Sequence, residues 1–179
     1  IYRKKVRRIP LNLLTLDTIS KAFTDRPLFQ QASFYLQEGE KVGVVGINGT
    51  GKSTLLKIMA GLEEPDAGEV IKANHVVIRY LPQAPVFQPG ETVLASAMRE
   101  NSNKMNEWTL ENDAKTMLTK LNITNFEQQV SELSGGQRKR IALVSALLSP
   151  ADILILDEPT NHLDHEMNDW LEDFLKKWK

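Results

Sequence analysis

Apolar residues are grouped along this chain in short runs that alternate between strand-like and helix-like spacing. Five segments have strand character: 11–16, 29–36, 42–45, 76–81 and 153–156. The β-branched runs at 42–45 and 153–156 are typical of buried parallel strands. Helical spacing recurs at 53–60, 136–148 and about 164–177. This alternation predicts an α/β core.

The middle of the chain has a different pattern. Residues 92–121 are helical and polar, with a turn-like stretch at 101–106. This indicates a helical subdomain, about residues 88–135, inserted into the α/β core. The polar stretch at about 101–107 is where we expect further helical residues to be missing from the chain. Residues 64–68 form a predicted turn. The last helix has a broad apolar face, part of which we expect to be uncovered: Leu163, Met167, Trp170, Leu171, Phe174, Leu175 and Trp178.

Length and composition restrict the class of protein only broadly. The chain has 179 residues, 41% of them hydrophobic and 25% charged, with a formal net charge of −1. This suits one medium globular domain and is neutral on nucleic acid binding. The chain has no cysteine, which excludes disulfides and thiolate chemistry and fits a reducing cytosol. The basic segment 1–10 reads as a solvated tail or an expression remnant, or alternatively as a nucleic-acid-binding arm.

A glycine-rich loop follows the run at 42–45 and opens the next helix. Its pattern, GxxxxGKS, is that of a loop whose backbone N–H groups cradle phosphates, with the lysine reaching the β- and γ-phosphates and the serine hydroxyl ligating Mg²⁺. The alternative is a chance match in a glycine-containing turn. The predicted ATP-binding residues here are Gly46, Ile47, Asn48, Gly49, Thr50, Gly51, Lys52, Ser53 and Thr54.

Two adjacent acids end the apolar strand at 153–156. Asp157 is placed to hold Mg²⁺, and Glu158 is placed to orient or deprotonate an attacking water. The alternative is an acidic turn before Pro159, which does not explain the four aliphatic residues that lead directly into the acids. The two motifs together favour a nucleotide hydrolase over a passive binder.

The stretch Leu133-Ser134-Gly135-Gly136-Gln137 resembles the signature motif of ABC-type ATPases, and residues 156–164 resemble the family's Walker B strand, catalytic glutamate and D-loop. The resemblance covers about residues 11–179. It implies a P-loop NTPase fold with a RecA-like parallel core sheet, an N-terminal antiparallel β subdomain and an inserted helical subdomain. It also implies that Phe23 stacks on adenine, that Gln83 is the Q-loop glutamine and contacts Mg²⁺, and that Glu158 is catalytic.

The signature segment implies a partner. Ser134, Gly135 and Gly136 open a helix and so form an anion site. In the family this segment, with Gln137, binds the ATP of a second ATPase domain placed head to tail. We interpret the neighbouring cluster Arg138-Lys139-Arg140 as a solvated helix face.

The motif Glu158-Pro159-Thr160-Asn161-His162-Leu163-Asp164, with Tyr80-Leu81-Pro82-Gln83, is most similar to the ABC-F branch. Members of that branch carry two ATPase domains, lack a membrane domain and act on ribosomes, so this resemblance implies a cytoplasmic, ribosome- or rRNA-associated translation or antibiotic-resistance factor. Two alternatives stay open: the ATP-binding subunit of a membrane transporter, which would bind a membrane domain, and a non-enzymatic nucleotide-gated scaffold.

The family's switch histidine lies on a strand beyond the Walker B glutamate. The chain ends at Lys179, before that position, and His75, His162 and His165 do not match it. His162 falls in the D-loop, and we expect His75 and His165 at the surface. The resemblance therefore implies a C-terminally truncated domain that is weakly active or inactive by itself and requires a second domain.

Overall fold

The computed structural model describes residues 10–23, 26–101 and 107–178, with only the backbone of Glu107. These residues form two compact units that divide between Val76 and Val77. The expectations about residues 1–9 and about missing residues after Asn101 lie outside the described residues.

The first unit contains an antiparallel sheet of three strands. They are β1 (Asn12–Phe23), β2 (Arg26–Gln37) and β3 (Ala67–Lys72), in the order β2-β1-β3. Leu14, Leu16 and Ile19 on the central strand are buried. The antiparallel β subdomain is therefore confirmed, although β1 and β2 are longer than their apolar patterns indicate.

Strand β3 was not predicted, because its sequence Ala-Gly-Glu-Val-Ile-Lys has little apolar alternation. Its first two residues lie in the segment that was interpreted as a turn. Gly68 has a φ of +83°, and a Cβ there would lie 2.5 Å from the carbonyl oxygens of Asp17 and Thr18. A glycine at this position therefore permits the close approach of β3 to β1.

The prediction of a buried parallel strand at 42–45 is wrong for this structure. Residues 40–47 form neither helix nor strand, and the exposed fractions of Val42, Val44 and Val45 are 53%, 40% and 95%. A parallel strand needs hydrogen-bonding neighbours, and among the described residues this run pairs with no strand. The helix that follows, α1 (Lys52–Met59), forms as predicted.

The second unit contains a parallel pair of strands, β4 (Ile78–Leu81) and β5 (Ile153–Leu156). The register pairs Ile78 with Ile153 and Leu81 with Leu156. Both strands therefore end at the same edge of the sheet. Strand β4 begins two residues later than predicted.

Among the described residues of the second unit, four α-helices pack together: α2 (Val93–Met98), α3 (Glu107–Lys120), α4 (Gly135–Leu148) and α5 (His165–Lys177). A short 3₁₀ helix, Val130–Glu132, precedes α4. Leu110, Ala114 and Leu118 recur every four residues on α3 and are fully buried. With Ile141 and Val144 of α4 they belong to one hydrophobic core, and the predicted helical segment is confirmed.

The apolar face of α5 is only partly covered. Met167 and Leu171 are buried, whereas Trp170, Phe174 and Leu175 pack at the margin of the core and retain some exposure. The expectation that part of this face is uncovered is confirmed. His75 and His165 are exposed, as expected.

Replacing Leu118 by alanine tests the core. Because Leu118 is fully buried, we expect Leu118→Ala to lower the free energy of unfolding by about 2–5 kcal/mol. Leu62→Ala is the matched control, since 64% of Leu62 is exposed, and it should change this value by less than about 0.5 kcal/mol. Urea denaturation measures both, and equal effects would contradict the proposed core.

Candidate functional site

The glycine-rich loop is an exposed turn that ends on α1. Gly49 and Gly51 have φ values of +84° and +90°, and Gly51 is the N-cap residue of the helix. A Cβ on Gly51 would lie 3.1 Å from Leu28, so a side chain here would meet both backbone strain and crowding. The loop backbone therefore lies bare at the surface where the helix begins.

Contacts within the loop are made by its own polar side chains. The Lys52 ammonium donates to the carbonyl oxygens of Gly46 at 2.7 Å and Ile47 at 3.0 Å. The Thr50 hydroxyl donates to the Ile47 carbonyl at 2.8 Å. The lysine is thus held over the loop, within the segment that precedes the helix.

This arrangement fits a phosphate group. The N-cap residue of α1 is Gly51, which has no side chain with which to cap the N–H groups of the first turn. Lys52 adds a positive charge beside them, and the helix dipole adds partial positive charge. The donors suit the anionic phosphates of ATP.

Phe23 lies at the end of β1, opposite Arg26, and 53% of its surface is exposed. The Lys21 ammonium lies 6.0 Å from the ring centroid. The Lys21 ammonium also donates to the Asp66 carboxylate at 3.0 Å. This charge-assisted hydrogen bond is the main cause that raises the pKa of Lys21. Phe23 thus offers an aromatic surface, and adenine stacking stays a prediction.

In the second unit, the parallel register aligns Gln83 with Glu158. Each lies two residues beyond the last pair, Leu81 and Leu156. The Gln83 amide nitrogen donates to Oε2 of Glu158 at 2.7 Å, and the amide nitrogen of Asn161 donates to the same oxygen at 2.7 Å. The Glu158 carboxylate is therefore held by two neutral donors. Its backbone has a φ of +51°, which a glutamate rarely adopts.

Asp157 is 96% buried and lies beside Tyr80. The Tyr80 hydroxyl donates to Oδ2 of Asp157 at 3.2 Å. Burial, and then the charge and hydrogen bond of Asp157, raise the pKa of Tyr80 to about 12. The phenol therefore remains a hydrogen-bond donor to the carboxylate across the ordinary pH range.

These side chains border a small groove that is open to solvent. It is lined by Leu81, Pro82, Gln83, Lys139, Asp157, Glu158, Pro159 and Asn161. The described residues contain no group of three or more acidic or histidine side chains that could by itself hold a metal ion. Asp157 and Glu158 offer carboxylates at the groove, and Mg²⁺ commonly keeps several waters and binds one or two carboxylates together with substrate phosphates.

The signature segment begins α4. Ser134 is the N-cap residue: its hydroxyl accepts from the Gln137 N–H at 3.2 Å, and its N–H donates to the Gln137 side-chain oxygen at 3.0 Å. This reciprocal pair is a capping box. A Cβ on Gly136 would lie 3.3 Å from Cβ of His162, so the D-loop lies against the first turn of this helix.

The interpretation of Arg138-Lys139-Arg140 as a solvated face is correct only for Arg138. Arg140 donates to the Leu121 carbonyl at 3.0 Å and is half-buried, and Lys139 borders the groove. Three successive residues of a helix point in different directions, about 100° apart. A cluster of like charges in sequence is therefore not a cluster on one face.

Tyr80, Lys139 and Asn161 were not predicted as site residues. Tyr80 could have been found from the expected pairing of the two parallel strands. Asn161 could have been found from its place three residues after Glu158 in a turn. Lys139 has no signal in the sequence, because its position depends on how α4 packs.

Comparison with known proteins identifies the family. The family model described as "ABC transporter" matches residues 29–161, about three quarters of the chain. The chain therefore belongs to the ABC transporter family, as an ABC ATP-binding domain with a P-loop NTPase fold. Members of this family hydrolyse ATP.

Several curated proteins are similar over most of the chain. An uncharacterised ABC transporter ATP-binding protein, YfmR of Bacillus subtilis, is 38% identical over 94% of this chain and 32% of its own length. ABC transporter F family member 2 of Arabidopsis thaliana is 36% identical over 94% of this chain and 25% of its own. The energy-dependent translational throttle protein EttA of Mycobacterium tuberculosis is 30% identical over 93% of this chain and 36% of its own length. The chain thus spans about a quarter to just over a third of the length of these relatives.

A solved ATP-binding subunit of an ABC transporter superposes with a TM-score of 0.80 at 23% identity. The match covers 92% of this chain and 74% of that one, and at this identity it supports the fold alone. Among the described residues, no helix is long and apolar enough to cross a membrane.

Tyr80 generates a prediction about pH. Its pKa is raised from 10.0 to about 12 in the folded state. The folded protein therefore binds this proton more tightly than the unfolded protein, and the resulting stabilisation is present below about pH 10 and is lost as the pH rises to about 12. Tyr80→Phe should remove the phenolate absorbance step near pH 12, measured in magnesium-free buffer.

Tyr35→Phe is the matched control, because it removes a tyrosine that is 62% exposed. It should leave the step near pH 12 in place. A step near pH 12 that persists in Tyr80→Phe would contradict the assignment.

Proposed function

We propose that this chain binds ATP with Mg²⁺ and hydrolyses it, with Glu158 accepting the proton of the attacking water. The observation that carries the proposal is the Glu158 carboxylate, held by the amides of Gln83 and Asn161 beside the buried Asp157. A general base needs a fixed orientation before its proton affinity matters. A plain acidic turn requires no such pair of donors.

The roles of the other residues follow from their donors and acceptors. Lys52 and the uncapped first turn of α1 bind the phosphates, and residues 46–51, with Ser53 and Thr54, complete this loop. Phe23 stacks on adenine. Ser53 would supply an oxygen ligand for Mg²⁺ in the first unit, and Gln83 and Asp157 would supply oxygen ligands for Mg²⁺ in the second. The ion would neutralise phosphate charge during transfer.

We also propose that turnover requires a second ATPase domain. Ser134 and Gly135 are exposed, although they belong to the segment that would bind a phosphate. The Ser134 hydroxyl accepts from the Gln137 N–H, which leaves its own proton available for an external oxygen. Together with Gly136 and Gln137, these groups would contact the nucleotide of a facing domain.

Within the family, we propose a cytoplasmic ABC-F protein that acts on the ribosome. Support comes from the Asn161-His162 pair in the D-loop motif and from similarity to an ABC transporter F family member and to a translational throttle protein. The membrane-transporter role is the second candidate. The names of YfmR and of the solved ATP-binding subunit refer to transporters, but the structural likeness bears on fold alone.

Two substitutions test the hydrolytic proposal in the protein of full natural length. Glu158→Gln is nearly isosteric but removes the base, so the ATPase rate should fall by about 10²-fold or more while ATP affinity is retained. Lys52→Ala removes a phosphate-binding charge, so nucleotide affinity itself should fall. Phosphate release and equilibrium nucleotide binding measure these effects. Unchanged turnover in both variants would refute the assigned roles.

Sedimentation tests the ribosomal proposal. Glu158→Gln should accumulate in the ATP-bound state and sediment with ribosomes of its own organism in ATP, but much less in ADP. Lys52→Ala is the matched control and should remain unbound in either nucleotide. Absence of nucleotide-dependent sedimentation would favour the transporter role.

A further inference from the structure

Asn161 contacts Glu158 twice, once through its backbone and once through its side chain. Its backbone N–H donates to the Glu158 carbonyl at 3.3 Å, and its side-chain amide donates to Oε2 of Glu158 at 2.7 Å. The first contact closes a turn across residues 158–161, in which Glu158 has a φ of +51°. The second ties the carboxylate to that turn. A glutamate held in this backbone region needs such restraint, since the left-handed conformation is unfavourable for it.

The chemistry of the carboxylate determines how the two amides are oriented. An ionised carboxylate only accepts hydrogen bonds, so Gln83 and Asn161 must both present their nitrogens to it. Both nitrogens contact Oε2. This leaves Oε1 as the oxygen on which a proton from water can be accepted.

The Asn161 side chain does not make the bond expected of an ordinary turn asparagine. Asparagine commonly stabilises a turn by accepting from a backbone N–H about two residues further on. Here the backbone bond from Asn161 already closes the turn, and the side chain donates three residues back to a carboxylate. An alanine could close the same turn, but it could not orient Glu158.

We propose that Asn161 is a positioning residue for hydrolysis: it holds Oε2 of Glu158 so that Oε1 faces the attacking water. The proposal rests on the hydrolytic function proposed above. Gln83 reaches Oε2 from the segment that follows β4, so its contact by itself does not tie the carboxylate to the turn that carries it. Asn161 differs from Gln83 in joining the carboxylate to the backbone turn that carries it.

Steady-state ATPase kinetics of the full-length protein test this role. Asn161→Ala should lower kcat by about tenfold, the loss expected for one hydrogen bond to a charged group, with little change in KM for ATP. Asn161→Asp is nearly isosteric but replaces the donor by a second carboxylate. It should lower kcat at least as much, because the two charges repel. A structural role would instead preserve activity in the isosteric variant.

The matched control is Asn112→Ala, at an exposed position of α3 in the same unit. It should leave kcat and KM unchanged. Thermal unfolding and nucleotide affinity should be close to wild type in all three variants. Wild-type or increased kcat in both Asn161 variants would overturn the proposal, and an increase would mean that the contact restrains hydrolysis.

A double-mutant cycle separates positioning from an independent effect. Glu158→Asp shortens the side chain by one methylene, which takes the carboxylate out of reach of the Asn161 amide. Because this variant reacts more slowly, its rate is measured by single-turnover hydrolysis of radiolabelled ATP. In this background, Asn161→Ala should change the rate by less than about twofold. A further tenfold loss would show that Asn161 does not act through the carboxylate and would overturn the proposal.

The experiments distinguish failure of this inference from failure of the proposed function. If wild type and Glu158→Gln hydrolyse ATP equally, the hydrolytic function of Glu158 is wrong and the positioning role falls with it. If Glu158→Gln is inactive but both Asn161 variants match wild type, the hydrolytic function stands and only the role of Asn161 is refuted.

Discussion

The parallel pairing of β4 with β5 is the constraint on which the chemistry of the second unit depends. Because Leu81 pairs with Leu156, the two strands end at the same edge of the sheet. Gln83 and Glu158 each follow two residues later. The Asp157 N–H donates to the Leu81 carbonyl at 3.0 Å, which continues the pairing past the last strand residue. A shift of one residue would separate the Gln83 amide from the carboxylate and move Tyr80 away from Asp157. Backbone hydrogen bonds thus set the geometry of the acidic groups.

The two helices that follow glycine-containing motifs begin in different ways. The N-cap residue of α1 is Gly51, which has no side chain to accept from the first turn, and Lys52 is folded over the loop, so the N–H groups there suit an external anion. The first turn of α4 is completed by Ser134 and Gln137, which satisfy two backbone N–H groups between them. Ser134 and Gln137 thus occupy backbone N–H groups that an external anion could otherwise contact at the start of α4. This difference is consistent with the proposed roles of the loop as the phosphate-binding site and of the signature segment as a contact for the nucleotide of a second domain.

Polar groups at the edge of the parallel sheet are paired with each other rather than with water alone. Asp157 is buried with the Tyr80 phenol, and Glu158 is shared by two amides. Each pairing offsets the cost of removing a carboxylate from water. It also limits the conformations of the acid. Glu158 adopts a φ of +51° in this setting, and a strained backbone maintained by surrounding contacts is often found where a side chain must be held in one orientation.

The sequence by itself determined the family, the helices and the motif residues, because each of these depends on local spacing. Lys52 contacts carbonyl groups only five and six residues before it, and Ser134 caps α4 by accepting from an N–H three positions further on. Tertiary structure decided the features that join distant residues. The sequence predicted a buried strand at 42–45, but burial requires a neighbouring strand and none pairs with this run among the described residues. Strand β3 was hidden because pairing with β1, rather than apolar alternation, defines it. The contact of Gln83 with Glu158 and the place of Lys139 beside the groove depend on strand register and helix packing, which no local pattern encodes.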